Sequence, residues 1–332
     1  MLDPDPRAGG DAPLPTARAS ELAGALLRNI ERVFQGQPDV ARRVVVALLA
    51  RGHVLLEDVP GVGKTTLARA LARSIDGRFH RIQFTSDLLP SDITGVGIPA
   101  RRGDDGVPEM RFQPGPVFAN VVLADEVNRA NPKCQSALLE AMAEGTVSVD
   151  GETHALPDPF FVIATQNPLE HAGTHPLPDS QLDRFLLRSS LGYPTRAHEA
   201  RVLRDDPAAH LLPALAPVLG LDDLRALQRA AAAVKFDDRL IAYLLDIAEA
   251  TRAHELLALG LSPRGAVALR RAAQANALVD GRDFAIPEDV RELAPDVVAH
   301  RIALDTRGRG HAGADEQRRV VEDVLASVAV PL

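Results

Sequence analysis

Residues 57–66 read Glu-Asp-Val-Pro-Gly-Val-Gly-Lys-Thr-Thr, a glycine-rich turn ending in Lys-Thr between an apolar run and a helical one. Nothing else in the chain constrains its fold as much. Glycines that free the backbone, followed by a lysine and a hydroxyl at a helix start, form a cradle for phosphates. Upstream lie Val44–Ala50 and then His53–Leu56, a short apolar run suited to a buried strand. Downstream, Thr65–Ser74 holds helix formers with Leu67 and Leu71 four apart. Strand, loop, helix is the order this chemistry requires. In that order the backbone N–H groups of Val62, Gly63 and Lys64 point at the phosphates, with the positive end of the helix dipole behind them. Lys64 reaches the β and γ phosphates, and the Thr65 hydroxyl completes a magnesium shell. The strict spacing G-x-x-x-x-G-K-[ST] asks for glycine where this chain has Asp58. Aspartate tolerates left-handed backbone angles better than most residues, so the turn survives the change.

A cradle alone does not hydrolyse a triphosphate. Val121-Val-Leu-Ala-Asp-Glu126 supplies two carboxylates at the end of a second buried strand, and in a parallel sheet the C-terminal strand ends share one edge. Asp125 is therefore placed to hold magnesium, directly or through water, and Glu126 to orient or deprotonate the attacking water. A third apolar strand, Phe160–Ala164, runs into Asn167, whose amide can donate to a phosphate and accept from the water at once. Arg184 follows a helix begun after Pro178 and can neutralise charge on a transferred phosphoryl group. Arg264 follows Ser262-Pro263, an N-cap and first helical residue. A cation in a first helical turn opposes the dipole, which hints at a phosphate partner.

At 332 residues, 25% charged and 46% hydrophobic, the chain is long enough for two domains of a globular protein. No apolar run approaches the roughly 20 residues that span a bilayer. Residues 1–18, with Pro4, Pro6, Pro13, Pro15 and Gly9-Gly10 but no signal-peptide core, read as a disordered arm, and the expected location is the cytoplasm. The single cysteine, Cys134, excludes an internal disulfide and reads as a packed or semi-exposed thiol beside a helix at Ser136–Met142. His171 and His175 are four apart, but Gly173 and Pro176 disfavour a metal-binding helix face. A net charge of −8 weighs against sequence-independent binding of nucleic acid.

In this order the motifs resemble the AAA+ ATPase superfamily, and the connecting text resembles its MoxR family. The stretches that carry the likeness include Arg81-Ile-Gln-Phe-Thr85, Leu88-Leu-Pro-Ser-Asp-Ile-Thr-Gly95, Ala124-Asp-Glu-Val-Asn-Arg-Ala130 and Leu177-Pro-Asp-Ser-Gln-Leu-Asp-Arg-Phe-Leu186. The likeness runs from about Gly36-Gln37 to about Ile302. It implies an α/β fold: a P-loop core with a parallel sheet flanked by helices, carrying hairpin insertions in helix 2 and before the first sensor, then an all-α lid. The expected division is an arm at 1–18, a nucleotide-binding core at 19–203 and a lid at 204–332. Around Leu240–Leu245 and Ala266–Arg270 the periodicity is indeed helical, and a last helix is expected at about Asp315–Val328.

By the same resemblance, ATP would be held by Pro60, Gly61, Val62, Gly63, Lys64, Thr65 and Thr66, and Mg2+ by Thr65 and Asp125. Asp125 and Glu126 would be Walker B, Asn167 the first sensor, Arg184 an arginine finger serving the neighbouring subunit and Arg264 the second sensor, brought to the phosphates as the lid closes. A finger used in this way implies a ring of subunits, a hexamer. The two hairpins would be Gly95–Gly115 and Thr146–Thr153, the latter about an Asp150-Gly151 turn. The implied work is chaperone-like remodelling or activation of a protein client, with a von Willebrand factor A domain protein as partner. Two alternatives stand beside it: a nucleic-acid-stimulated motor, for which Arg101 and Arg102 could supply a basic loop, and a binding switch that hydrolyses ATP slowly.

Overall fold

The computed structural model describes residues 14–57, 61–101, 108–167, 174–193, 195–305 and 313–331. Asp58, Pro60, His171 and the tip of the first expected hairpin lie outside these residues. Two helices open the described chain, α1 (Thr16–Glu31) and α2 (Pro38–Leu49). The first begins inside the expected arm, with Ala19, Leu22, Ala23 and Leu26 buried on one face. The second corrects the strand expected from the apolar run: Val44 to Leu49 are helical, and only β1 (Val54–Glu57) is extended. Pro38 at the first helical position and Asp39 in the first turn favour the helix. Val44 through Leu49 are all buried, so the apolar run shows no helical period from which sequence could separate it from a strand.

The P-loop leads into α3 (Lys64–Ser74), followed by β2 (Phe79–Gln83), the short α4 (Pro90–Thr94), β3 (Gly95–Arg101), β4 (Pro108–Pro114) and β5 (Val121–Asp125). Then come α5 (Pro132–Glu144), β6 (Thr146–Val149), β7 (Glu152–Ala155), β8 (Phe161–Gln166), α6 (Asp179–Leu182) and β9 (Leu187–Ser189). Strands β2, β5, β8, β1 and β9 pair in that order, each pair parallel. The three inner strands are buried almost throughout, as strands covered on both faces must be. Alternate residues feed the two faces. Val54, Leu56, Leu123 and Ile163 pack with α1, α2 and α3, whereas Leu55, Val122, Ala124 and Val162 pack toward α5.

Both expected hairpins are present. β3 pairs antiparallel with β4, and β6 with β7 through Asp150 and Gly151, whose φ angles of 52° and 85° are those of a two-residue primed turn. Phe112 of β4 stacks on His154 of β7 with ring centroids 3.8 Å apart, so the insertions brace one another.

Beyond β9 the chain is helical: α7 (Arg196–Asp205), α8 (Pro207–His210), α9 (Leu221–Ala233), α10 (Asp238–Ala253), then β10 (Leu257–Leu259), α11 (Pro263–Val279), α12 (Pro287–Val298), β11 (Ala303–Leu304) and α13 (Ala314–Ser327). The division expected after Leu203 falls inside α7, and a two-stranded antiparallel ribbon of β10 and β11 interrupts the expected all-α lid. The lid is continuous with the core: Arg42 of α2 donates to Asn276 Oδ1 of α11 at 2.8 Å and pairs with Asp280 at 2.7 Å. Among the described residues no helix is long and apolar enough to cross a membrane.

Candidate nucleotide site

Strand register assembles the site. Gln83 lies opposite Asp125, Leu56 opposite Thr165 and Glu57 opposite Gln166, so the ends of β2, β5, β8 and β1 form one polar row. α3 starts from this row. Its N-cap, Gly63, has φ +100° and no side-chain cap, and Gly61 has φ +90°, both in the region where glycine carries least strain. With no side chain capping the helix start, the positive end of its dipole faces this row. Lys64, Thr65, Thr66, Asp125 and Glu126 line a cavity of about 300 Å³ at this point.

Within that cavity the carboxylates are firmly held. Asp125 accepts from the Thr165 hydroxyl at 2.6 Å through Oδ1, and from Arg81 through Oδ2, with Nη2 at 2.6 Å and Nε at 3.1 Å. Glu126 sits at φ 58°, ψ 50°, left-handed for a residue with a Cβ. Its N–H donates to Thr165 Oγ1 at 2.9 Å, and its Oε2 accepts from Gln83 Nε2 at 2.8 Å and Arg129 Nη1 at 3.1 Å. Hard oxygen donors at Thr65 and Asp125 suit a magnesium ion that takes its remaining ligands from phosphates and water. The guanidinium already on Asp125 shows that the carboxylate is set up to face a cation. Among the described residues no three His, Cys, Asp or Glu side chains gather into a metal site, so water, and phosphate oxygens where they are present, would complete the shell begun by Thr65 and Asp125.

A second cleft of about 570 Å³ meets the first at Gly61, Gly63 and Thr66. Phe34 in the turn after α1, Val62, Val202 and Leu203 of α7, and Tyr193 supply its apolar and aromatic lining. An apolar slot continuous with a phosphate cradle is what a purine base requires. Phe34 is 5% exposed, and a Cβ on Gly63 would approach its ring to 3.2 Å, which gives Gly63 a packing reason as well as a conformational one.

The structure does not bring every predicted residue to this cavity. Asn167 follows β8 on the same sheet edge and is buried, with its carbonyl accepting from Asn128 Nδ2 at 3.3 Å, but it does not line the cavity. Arg184 lies just beyond α6 and donates to the Leu139 carbonyl at 2.9 Å. Arg264 stands in the first turn of α11, where Ser262 caps Gly265 N–H as expected, and its Nε is 3.6 Å from Asp183 Oδ2. That carboxylate also receives Arg301 Nε at 2.8 Å. Neither of the two predicted arginines lines the phosphate cavity.

Sequence reasoning passed over Arg81 and Gln83 as chemistry. Two long polar side chains at alternate positions closing β2, on the edge that carries the carboxylates, were the available signal. The base cleft left no such signal, because its walls come from residues 33–37 and 193–208. Cys134 is buried, with Sγ 2.9 Å from the Leu88 carbonyl, and burial raises its thiol pKa, as expected of a packed thiol. His175 serves structure: its N–H donates to the Asn128 carbonyl at 2.6 Å and its carbonyl accepts from Gln135 at 2.8 Å.

A parallel sheet in this order, a P-loop after β1, an acidic pair after β5 and a helical lid define an ATPase of the AAA+ class. Comparison with known proteins agrees: residues 53–187 match the ATPase family associated with various cellular activities (AAA), and residues 249–327 match the AAA lid domain. The chain is 49% identical to the uncharacterized protein YeaC of Bacillus subtilis, covering 94% of this chain and 95% of that one. It is 44% identical to chaperone MoxR1 of Mycobacterium tuberculosis over 91% of this chain and 80% of that one. A crystal structure of a putative ATPase from Cytophaga hutchinsonii, 34% identical, superposes with a TM-score of 0.85 over 96% of this chain and 97% of that one. The chain belongs to the MoxR family of AAA+ ATPases.

Proposed function

We propose that the protein hydrolyses Mg-ATP in a ring of identical subunits, a hexamer, working in the cytoplasm, and uses the cycle to remodel or activate a client protein. The observation that carries this reading is the place of Arg184 and Arg264. Neither lines its own subunit's phosphate cavity: Arg184 is bonded to the Leu139 carbonyl and Arg264 stands beside Asp183, which supports a site completed by a neighbouring subunit. The similarity to a protein named a chaperone supports the class of work, and the family resemblance supports a von Willebrand factor A domain partner.

In this reading the base enters the cleft beside Phe34, and the N–H groups of Val62, Gly63 and Lys64 meet the phosphates. Lys64 holds the β and γ phosphates, while Thr65 and Asp125 would hold the metal. Bound magnesium supplies charge neutralisation across the phosphate oxygens. Glu126 polarises the water, after its carboxylate leaves Gln83 and Arg129, and Asn167 steadies water and phosphate. Arg184 and Arg264 of the adjacent subunit then offset the developing charge. A slow binding switch finds support in one observation: Glu126 Oε2 is held by two donors, so turnover waits on their release.

Glu126→Gln tests the assignment. The variant keeps ATP binding and assembly but loses turnover by at least about a hundredfold, the usual worth of a general base. Wild-type turnover in that variant would refute the role of Glu126.

A further inference from the structure

Asp125 cannot keep its present contacts and ligate a metal directly through Oδ2. Its Oδ1 accepts the Thr165 hydroxyl at 2.6 Å, and its Oδ2 accepts both Nη2 and Nε of Arg81 at 2.6 and 3.1 Å. A magnesium ion on Oδ2 would stand about 2.1 Å from that oxygen, inside the space of the guanidinium and facing its positive charge. The Thr165 bond survives metal binding, because it lies on the other oxygen and fixes the carboxylate plane. The Arg81 bonds do not.

Arg81 is built to leave. It projects from β2, the edge strand of the sheet, so among the described residues no further strand encloses it, and its side chain is 47% exposed whereas that of Asp125 is 11% exposed. It also lines the cavity that holds Lys64 and Thr65, so the freed guanidinium stays near the phosphates. Its Nη2 donates to Gln83 Oε1 at 2.7 Å, and Gln83 in turn donates to Glu126 at 2.8 Å, so both site carboxylates belong to one chain of bonds centred on this arginine.

We infer that Arg81 is an internal counter-cation of Asp125 that magnesium must displace, and that it thereby sets the metal concentration at which the site is completed. The inference rests on Asp125 being a metal ligand, as in the function proposed above. Arg81 is then a positioning residue, acting on the metal through Asp125. As a mere surface salt bridge it would tie β2 to β5 and leave metal affinity untouched.

Manganese, whose paramagnetic resonance reports free and bound ion, is the probe. It is titrated into the full-length protein without nucleotide, for wild type, Arg81→Gln and the double variant Arg81→Gln/Asp125→Asn, each first shown to melt cooperatively. Arg81→Gln is expected to bind Mn2+ about fivefold more tightly than wild type, the worth of a half-exposed ion pair, and the double variant to lose the gain. Equal or weaker affinity in Arg81→Gln, no Mn2+ binding by that variant, or a gain that persists in the double variant each overturns the inference. No step uses ATP, so failure of the ATPase reading would show separately, as absence of ATP binding by the wild-type protein.

Discussion

Acid should weaken this fold through one buried histidine at the root of the nucleotide strand. His53 precedes β1 and is buried; its Nδ1 accepts the Val162 N–H at 3.0 Å, so Nε2 carries the proton and donates to the Met142 carbonyl at 3.1 Å. Neutral imidazole satisfies both contacts, and protonation destroys the acceptor that β8 needs. Burial, with the nearby Arg271 charge adding to it, lowers the pKa from 6.5 to about 4 despite the Met142 bond. Below pH 6.5 the unfolded chain binds a proton that the folded chain refuses, so stability falls as pH drops toward 4 and is constant for this group above 6.5. A shift from 6.5 to about 4 amounts to roughly 3 kcal/mol over that window. His300, driven the same way by burial and then by Arg301, adds to the loss. Urea midpoints measured across the window for wild type and His53→Asn give the test. The variant, less stable at neutral pH, should lose about 3 kcal/mol less than wild type on acidification. Parallel pH profiles for the two proteins would refute the neutral, hydrogen-bonded reading of His53.

Two further outcomes follow from the site. Phe34→Ala should weaken ATP binding about tenfold, the loss of an aromatic wall worth about 1.4 kcal/mol, yet leave inorganic tripolyphosphate binding unchanged; equal losses for both ligands would remove the base from this cleft. Arg184→Ala should abolish hydrolysis and regain part of it on mixing with inactive Lys64→Ala subunits, since mixed interfaces pair an intact P-loop with an intact finger. Absence of rescue at every mixing ratio would place Arg184 in its own subunit's site.

The chain announces its cradle, its acidic pair and both hairpins because each is local: a few adjacent residues fix the turn, the strand end or the helix start. The short-range chemistry of Gly61–Thr66, Asp125–Glu126 and Asp150-Gly151 is therefore legible without coordinates. What escaped reading depends on distance along the chain. Arg81 meets Asp125 across 44 residues because β2 and β5 pair in one register out of several possible. The base cleft joins the turn after α1 to α7 and α8, segments more than 150 residues apart whose side chains carry no motif. The α2 run was ambiguous for another reason, since burial on every side erases the period that marks a helix. The contact of Arg264 with Asp183 likewise joins residues 81 positions apart that no motif links.

The central claim is that one subunit holds half a site. Steady-state ATP hydrolysis by the wild-type protein, measured over a wide dilution series alongside mass by light scattering, tests it most directly. Activity per subunit should rise with concentration in step with assembly and fall toward zero where the protein is monomeric. Constant activity per subunit down to the dilute monomer would mean that a single chain carries the whole site, and would contradict the account.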